Sequence, residues 1–368
     1  MAVSDRVQRL RRVLAPEFQA ALVVRPIHVH YLSGHAPPDR APSAVVVGPE
    51  RCVLVSPGPA PDRGPSVDHV AYRAYGHDAP VDPTSRFEEA VRRALEQAGA
   101  AGRAIAVEEE WVPVAIGRAA AEVATTGPLG DRLERLRAIK DEDELALVRR
   151  AATIVDGAFA AVAQALRPGR TELEVYAEAE RAILLAHGEP FTMECVFVSG
   201  PRTLETVGPP TARVVEPGDL LIFDVFPYLR GYKVDVTRTF VAGRATDEQR
   251  RLHDVLERAL AAGAAAIRPG TTGGDVDRAA RGVIEAAGLS CPHHMGHAIG
   301  LFHPERPSFV PGETERLAAG MVVTLEPGVY VPPRSGMRLE QNYVVREGEP
   351  EALSGYPMEL IEAPRLSS

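Results

Sequence analysis

Four carboxylates and one imidazole in the second half of the chain fall in a pattern suited to holding divalent cations. Leu220-Leu-Ile-Phe-Asp224 is an apolar run ending in an acid, and Tyr232-Lys-Val-Asp-Val-Thr-Arg-Thr-Phe240 carries a second acid, Asp235. A hairpin turn centred between Leu229 and Arg230 predicts Asp224 directly opposite Asp235, with their Cβ atoms about 5 Å apart on one face. Farther on, Val322-Val-Thr-Leu-Glu326 and Met337-Arg-Leu-Glu340 flank a Pro/Gly-rich turn centred near Pro333, and a symmetric hairpin there pairs Glu326 with Glu340. Between the two pairs lies His293-His-Met-Gly-His-Ala-Ile-Gly300, whose glycines allow close approach to a ligand. Paired carboxylates in an apolar setting repel each other unless a proton or cation sits between them. Four such groups carry four negative charges, which two divalent ions balance, and oxygen ligands with imidazole suit Mn, Co, Fe or Zn. Two ions about 3.5–4 Å apart hold a shared water and lower its pKa. Taken singly, an acid at a strand end points to water and a histidine in a glycine-rich loop is structural; the inference rests on both hairpins carrying a facing pair.

The elements that must position these residues form an internal repeat. Leu166-Arg-Pro-Gly-Arg-Thr171 is echoed by Ile267-Arg-Pro-Gly-Thr-Thr272. In each copy a helix is expected to end at Pro-Gly and a threonine to cap the next, with Thr171-Glu-Leu-Glu174 in capping-box form. Each copy then runs into strands, Leu220 to Phe240 and Met321 to Val345, which predicts a pseudo-symmetric α+β domain with its site where the sheets meet. A long amphipathic helix, capped at Asp141 and running to about Leu166, leads into it. The domain boundary is placed at 134/135, giving domains 1–134 and 135–368. Before it, valine-rich runs at Ala20 to Val24, Ala44 to Val47, Cys52 to Val55 and Ala104 to Val107 alternate with helical spacing at Phe87 to Ala98, the pattern of a small α/β domain. Pro37, Pro38, Pro42 and Pro57 to Pro65 mark loops.

Composition bounds the partners. The 368 residues are 45% hydrophobic and 25% charged, the balance of a globular protein long enough for two domains. A net charge of -9 argues against nucleic acid. No apolar run reaches the ~20 residues of a membrane span, and Met1 to Arg12 does not read as a secretory signal, so a cytoplasmic location with no membrane partner is expected. Cys52, Cys195 and Cys291 show no CxxC spacing, which indicates neither a disulfide framework nor a thiolate zinc site.

With these motifs in place, the chain resembles the Xaa-Pro aminopeptidase, prolidase, methionine aminopeptidase and creatinase superfamily, which shares the pita-bread fold. Residues 1 to about 132 look like a creatinase-type N-terminal α/β domain, and the remainder like the catalytic domain. Asp224 and Asp235 match the family's aspartate pair, His297 in Gly296-His-Ala-Ile-Gly-Leu301 its histidine ligand, Glu326 in Leu325-Glu-Pro-Gly328 and Glu340 in Arg338-Leu-Glu340 its two glutamates. The resemblance implies two divalent ions bound by these five, with Glu326 as ligand and proton shuttle and with Asp235 and Glu340 bridging. It also implies amide cleavage by a metal-bridging hydroxide, a small peptide substrate and a homodimer. Thr237 is expected to orient the water and Arg338 to support the carboxylates.

Two departures bear on the activity. Where peptidase members carry a Pro-His pair whose histidine stabilises the tetrahedral species, this chain has Thr206-Val207. Loss of one such donor costs about 2.7–4 kcal/mol of transition-state stabilisation. Seven residues after the histidine ligand, where the family has His-Glu-x-Pro, stands Pro304, with His303 one residue early. His303, His294 and His293 are the candidates to supply the missing donor in the substrate pocket around Val207. The leading expectation is a metallohydrolase resembling Xaa-Pro dipeptidases. The alternative is a non-peptidase on the same scaffold doing small-molecule C–N hydrolysis, lyase or redox chemistry, and an inactive binding module is the third.

Overall fold

The computed structural model describes residues 3–36, 41–59, 67–78, 80–332 and 335–364. The expected loops at Pro37, Pro38 and 60–65 and the turn centre at Pro333 lie outside them. Two compact units divide the chain, Met1–Arg137 and Ala138–Ser368.

The first unit runs α1 (Val3–Leu14), β1 (Ala20–Val23), α2 (Pro26–Ser33), β2 (Ala44–Val47), β3 (Cys52–Pro57), β4 (Asp68–Tyr72), α3 (Pro83–Gln97), β5 (Ala104–Val107), α4 (Val114–Val123), β6 (Thr125–Pro128) and α5 (Arg132–Ala138). Its strands form one mixed sheet in the order β4-β3-β2-β1-β5-β6. β1 and β2 are buried along their whole length and β3 up to Ser56, which is why they read as continuous apolar runs rather than alternating ones. The Arg-bearing start forms α1, whose Val7, Leu10 and Leu14 are buried.

The second unit opens with α6 (Glu142–Ala165) and α7 (Glu172–His187). Then come β7 (Thr192–Ser199), a 3-10 turn at Gly200–Glu205, β8 (Leu220–Leu229), β9 (Tyr232–Lys233) and β10 (Val236–Ala242). The second copy repeats the plan with α8 (Asp247–Ala266), α9 (Gly273–Ala286), β11 (Gly296–Ala298), β12 (Glu305–Phe309), β13 (Val322–Leu325), β14 (Gly328–Val331), β15 (Ser335–Arg338) and β16 (Gln341–Val344). Two short strands, β17 (Glu351–Ala352) and β18 (Ile361–Ala363), close it. Asp141, Thr171 and Thr272 cap α6, α7 and α9, each in a capping box with the residue three ahead. The repeat extends to single bridges, Thr171 with Val214 and Thr272 with Arg316.

The strands sort into a sheet β18-β10-β8-β7 with β9 on β8, a sheet β12-β11-β13-β16-β17, and the separate hairpin β14-β15. Leu252, Val255, Leu256 and Leu260 of α8 share one buried cluster with Val323 and Leu325 of β13 and Met337 of β15. Among the described residues no helix is long and apolar enough to cross a membrane. Cys52 and Cys291 are buried and Cys195 half-buried, all as free thiols.

Candidate metal centre

The first acidic hairpin turns one residue later than its sequence suggests. Tyr228 pairs with Lys233 and Leu229 with Tyr232, which leaves Arg230 and Gly231 as a two-residue loop. Both have positive φ, 54° and 86°, the type I′ geometry whose twist suits a tight hairpin. Gly231 adopts it without steric cost. The ladder then places Asp224 opposite Thr237, not Asp235, which corrects the expected facing pair. The parity survives, so both acids still point to one face, and Asp235 reaches Asp224 along a diagonal.

Asp235 itself lies in the gap between β9 and β10, where the chain has left β8. Its N–H donates to Asn342 Oδ1 at 3.0 Å, and Asn342 Nδ2 donates to its carbonyl at 2.6 Å. One amide side chain thus stands in for a missing strand partner and leaves no buried backbone group of Asp235 unpaired.

The second hairpin keeps the expected register. Val322 pairs with Val344 and Leu325 with Gln341, and Gly328 pairs with Arg338 and Val331 with Ser335. Glu326 and Glu340 sit opposite each other in that common register, yet neither joins a ladder, because the hairpin splits there into two sheets. Glu326 N–H goes instead to Met295 O at 2.8 Å, and Glu340 N–H to Thr237 O at 3.1 Å. Thr237 Oγ1 also donates to Glu340 Oε2 at 2.8 Å. The residue two past each second acid, Thr237 or Asn342, therefore reaches across to hold the acid of the other repeat.

His297 enters on β11, between β12 and β13. Gly296 has φ 148°, and a Cβ there would fall 2.2 Å from Thr324 O, so only glycine lets this strand lie against β13. His297 Nδ1 donates to Ala298 O at 2.8 Å, which leaves Nε2 as the free lone pair facing the acids. That Nε2 is 3.5 Å from Asp235 Oδ2 and 3.7 Å from Glu326 Oε1.

These placements bring the residues into two overlapping groups. One ligand atom each from Asp224, Asp235 and Glu340 lies within 4.8 Å of the others, and the same holds for Asp235, His297 and His303. Asp235 belongs to both. Its Oδ2 faces the imidazoles, while its Oδ1, together with Asp224 Oδ1 and Glu340 Oε1, is buried with no hydrogen-bond partner. Three orphaned carboxylate oxygens converging in one buried place fit a cation, since each would otherwise pay the cost of an unsatisfied charged group. Oxygen and imidazole donors fit divalent ions of the Mn, Co, Fe and Zn group.

The electrostatics agree. Burial, reinforced by the Asp235 and Glu326 charges and opposed by Arg338, pushes Asp224 well above the usual carboxylate range. Burial and the other three carboxylates do the same to Glu340. Asp235 is buried too, but the rings of His297 and His303 outweigh desolvation and hold it below its ordinary value. Burial likewise raises Glu326, but the His294 and His297 rings prevail and hold it low.

The remaining predicted residues divide. His303 Nε2 lies 2.6 Å from Asp235 Oδ2, and His294 Nδ1 lies 3.1 Å from Glu326 Oε1. Arg338 Nη2 donates to Asp224 Oδ2 at 2.7 Å, and its Nη1 to Thr206 O at 3.1 Å. His293 is turned away from the carboxylates, with Nε2 3.1 Å from the Tyr330 hydroxyl and Nδ1 2.7 Å from His294 O. Val207 is 67% exposed, and its contribution to the region is a neighbour, Thr206, whose carbonyl receives Arg338. Asn342, Tyr330 and Phe226 were not anticipated. Asn342 had a signal, for it stands two residues after Glu340 as Thr237 stands two after Asp235.

Comparison with known proteins matches this geometry to a family. Residues 146–347 match "Metallopeptidase family M24" and residues 6–139 match "Creatinase/Prolidase N-terminal domain". The chain is 30% identical over 369 residues to the "Putative dipeptidase YkvY" of Bacillus subtilis, covering 97% of this chain and 99% of that one. Among solved structures, dipeptidase PepE from Mycobacterium ulcerans superposes with a TM-score of 0.79 at 26% identity, covering 98% of each chain. An Xaa-Pro dipeptidase from Bacillus anthracis shares the fold with a TM-score of 0.84 at 24% identity, over 98% of this chain and all of that one. The two family matches and the full-length dipeptidase relative settle the assignment: the chain belongs to metallopeptidase family M24, a hydrolase of the pita-bread fold with a creatinase/prolidase-type N-terminal domain.

Proposed function

We propose that this chain is a dinuclear metal-dependent dipeptidase that cleaves the amide bond before proline in Xaa-Pro dipeptides. The observation that carries the reading is the pair of groups sharing Asp235, with a buried carboxylate oxygen on each of Asp224, Asp235 and Glu340 left without a hydrogen-bond partner. Asp224, Asp235, His297, Glu326 and Glu340 would hold two divalent ions, with manganese or cobalt as the leading candidates. When bound, the ions would lower the pKa of a water and polarise the scissile carbonyl. Glu326, held ionised by its imidazole neighbours, takes the proton from the attacking water and returns it to the leaving proline nitrogen. His294, 3.1 Å from Glu326, orients that carboxylate, and Arg338 fixes Asp224. Thr237 and Asn342 hold Glu340 and Asp235 in place from across the repeat.

The dipeptidase relatives favour peptide hydrolysis over the lyase, redox and small-molecule C–N hydrolysis alternatives. The same reading makes the protein a cytoplasmic homodimer. Sedimentation as a monomer would overturn the dimer. The activity is tested by incubating the full chain with a panel of Xaa-Pro dipeptides and added Mn(II) or Co(II). Turnover that disappears with chelator is expected. Bound metal without turnover across the panel would remove the peptidase assignment. Val207→His should raise kcat/KM by up to about 10²–10³-fold, since one lost donor is worth about 2.7–4 kcal/mol.

A further inference from the structure

His303 lies outside the five residues to which the ions are assigned, yet its geometry is that of a ligand rather than a loop residue. Its Nε2 is 2.6 Å from Asp235 Oδ2, and His297 Nε2 is 3.5 Å from the same oxygen. These three donor atoms lie within 4.8 Å of one another. An ion about 2.0–2.2 Å from each donor sets its ligands about 3–3.5 Å apart, so the trio needs only small adjustment to close on one.

The ring is also held in place. Phe226 stacks on His303 with centroids 4.9 Å apart and planes 8° from parallel, and His297 meets it edge-on at 4.7 Å and 80°. The loop beneath is anchored by Glu305, which accepts the Phe302 N–H at 3.3 Å and pairs with Lys140 Nζ at 2.8 Å in a buried ion pair. A stacked ring on an anchored loop gives a ligand the fixed direction that metal sites require. The other group, Asp224, Asp235 and Glu340, offers oxygen alone.

We propose that His303 is a second imidazole ligand, so that the two metal positions differ in kind. One is built from two imidazoles and carboxylate and selects Zn(II) or Co(II), and the other is all-oxygen and takes Mn(II). Imidazole suits the former ions and carboxylate the latter, which is the chemical basis of the selection. This rests on the dinuclear reading above.

The test is X-ray absorption on the full chain, stripped with chelator and reloaded with one equivalent of Zn(II), alongside competitive titrations with Zn(II) and Mn(II). Two imidazoles about 2.0–2.1 Å from zinc are expected in the wild type, and one in His303→Gln. The variant should also lose Zn(II) affinity by tenfold or more while Mn(II) affinity at the second position stays within about twofold. One imidazole in the wild-type spectrum, with the titrations still reaching two ions per chain, overturns this inference and leaves the dinuclear enzyme standing. Failure of the wild type to retain any divalent ion overturns both. Because the wild-type spectrum alone decides the imidazole count, the inference stays testable even where the variant does not fold.

Discussion

The two acidic hairpins solve one problem in different ways. The first is continuous: β8 runs unbroken through Asp224, turns on Arg230-Gly231, and returns with a register that never shifts. Only Asp235 leaves the ladder, and a side-chain amide takes the place of its lost partner. The second is divided: the strands on either side of Glu326 and Glu340 belong to different sheets, and both acids stand at the break. Three of the four carboxylates thus sit where the backbone abandons regular pairing. A strand residue can face only one of two directions, whereas a residue at a break is free to aim elsewhere. What the contrast teaches is that convergence on a shared centre comes from interrupting the sheets, with Asp235 and Glu340 each held by a hydrogen bond from the opposite repeat and Glu326 by Met295 of its own.

The comparison is broken or sharpened most strongly at the acids. Asp235→Ala removes a member of both ligand groups and Asp224→Ala a member of one. The first should abolish retention of both ions and lower kcat by at least about 10³-fold, beyond what loss of a single transition-state donor costs. The second should spare one ion, read by metal content after gel filtration. Equal losses would mean that Asp235 has no special place between the groups.

Next comes the asymmetry of the cross-repeat contacts. Asn342→Leu strands both backbone groups of Asp235 in the interior and should cost about 2–6 kcal/mol, at about 1–3 kcal/mol per unpaired group. Thr237→Val loses one hydroxyl contact to Glu340 and should cost about 1 kcal/mol. Urea midpoints measure both, and a Thr237 effect as large as that of Asn342 would erase the distinction.

A smaller difference lies in the helices. His253, buried on α8, falls where the repeat offset puts Ala152 on α6. Burial lowers the His253 pKa to about 4. The unfolded chain, with a histidine pKa near 6.5, therefore binds the proton first as pH falls. Stability is full above about pH 6.5 and declines toward pH 4, by about 1–3 kcal/mol. Replacement by alanine, the residue of the other repeat, should flatten that slope. Urea titrations at pH 7 and 4.5 that show the same decline in both proteins would acquit His253.

The least effect is expected at the first turn. Arg230 holds φ 54°, a conformation that asparagine tolerates better than arginine. Arg230→Asn should raise stability by about 0.5–1 kcal/mol, visible as a small increase in Tm. A loss would show that the exposed Arg230–Glu189 pair outweighs the backbone term.

The same contrast explains what was legible from the residues alone. The repeat could be read because Pro-Gly followed by a capping threonine is local chemistry, and the second register because its turn is symmetric. The first register was missed by one residue: the choice between Leu229-Arg230 and Arg230-Gly231 depends on which pair reaches positive φ, and Gly231 was the available sign. The Asn342–Asp235 contact spans 107 residues and leaves no periodic trace. His303 stood out because it is a histidine one place from where the family has one, yet the stacking that directs its ring belongs to Phe226, 77 positions earlier.

Because Thr237 and Asn342 pin the acids through backbone contacts, the carboxylates stay crowded whether or not a counter-charge arrives. Without an ion, Asp224 and Glu340 ease that crowding by holding their protons more tightly, and cation uptake takes over the same task while tying the two hairpins together. Resistance to heat should therefore track the free ion level in the surroundings, gaining about 2.7 kcal/mol at a hundred times the dissociation constant. Scarcity of the ion would then weaken the protein itself as well as silence it.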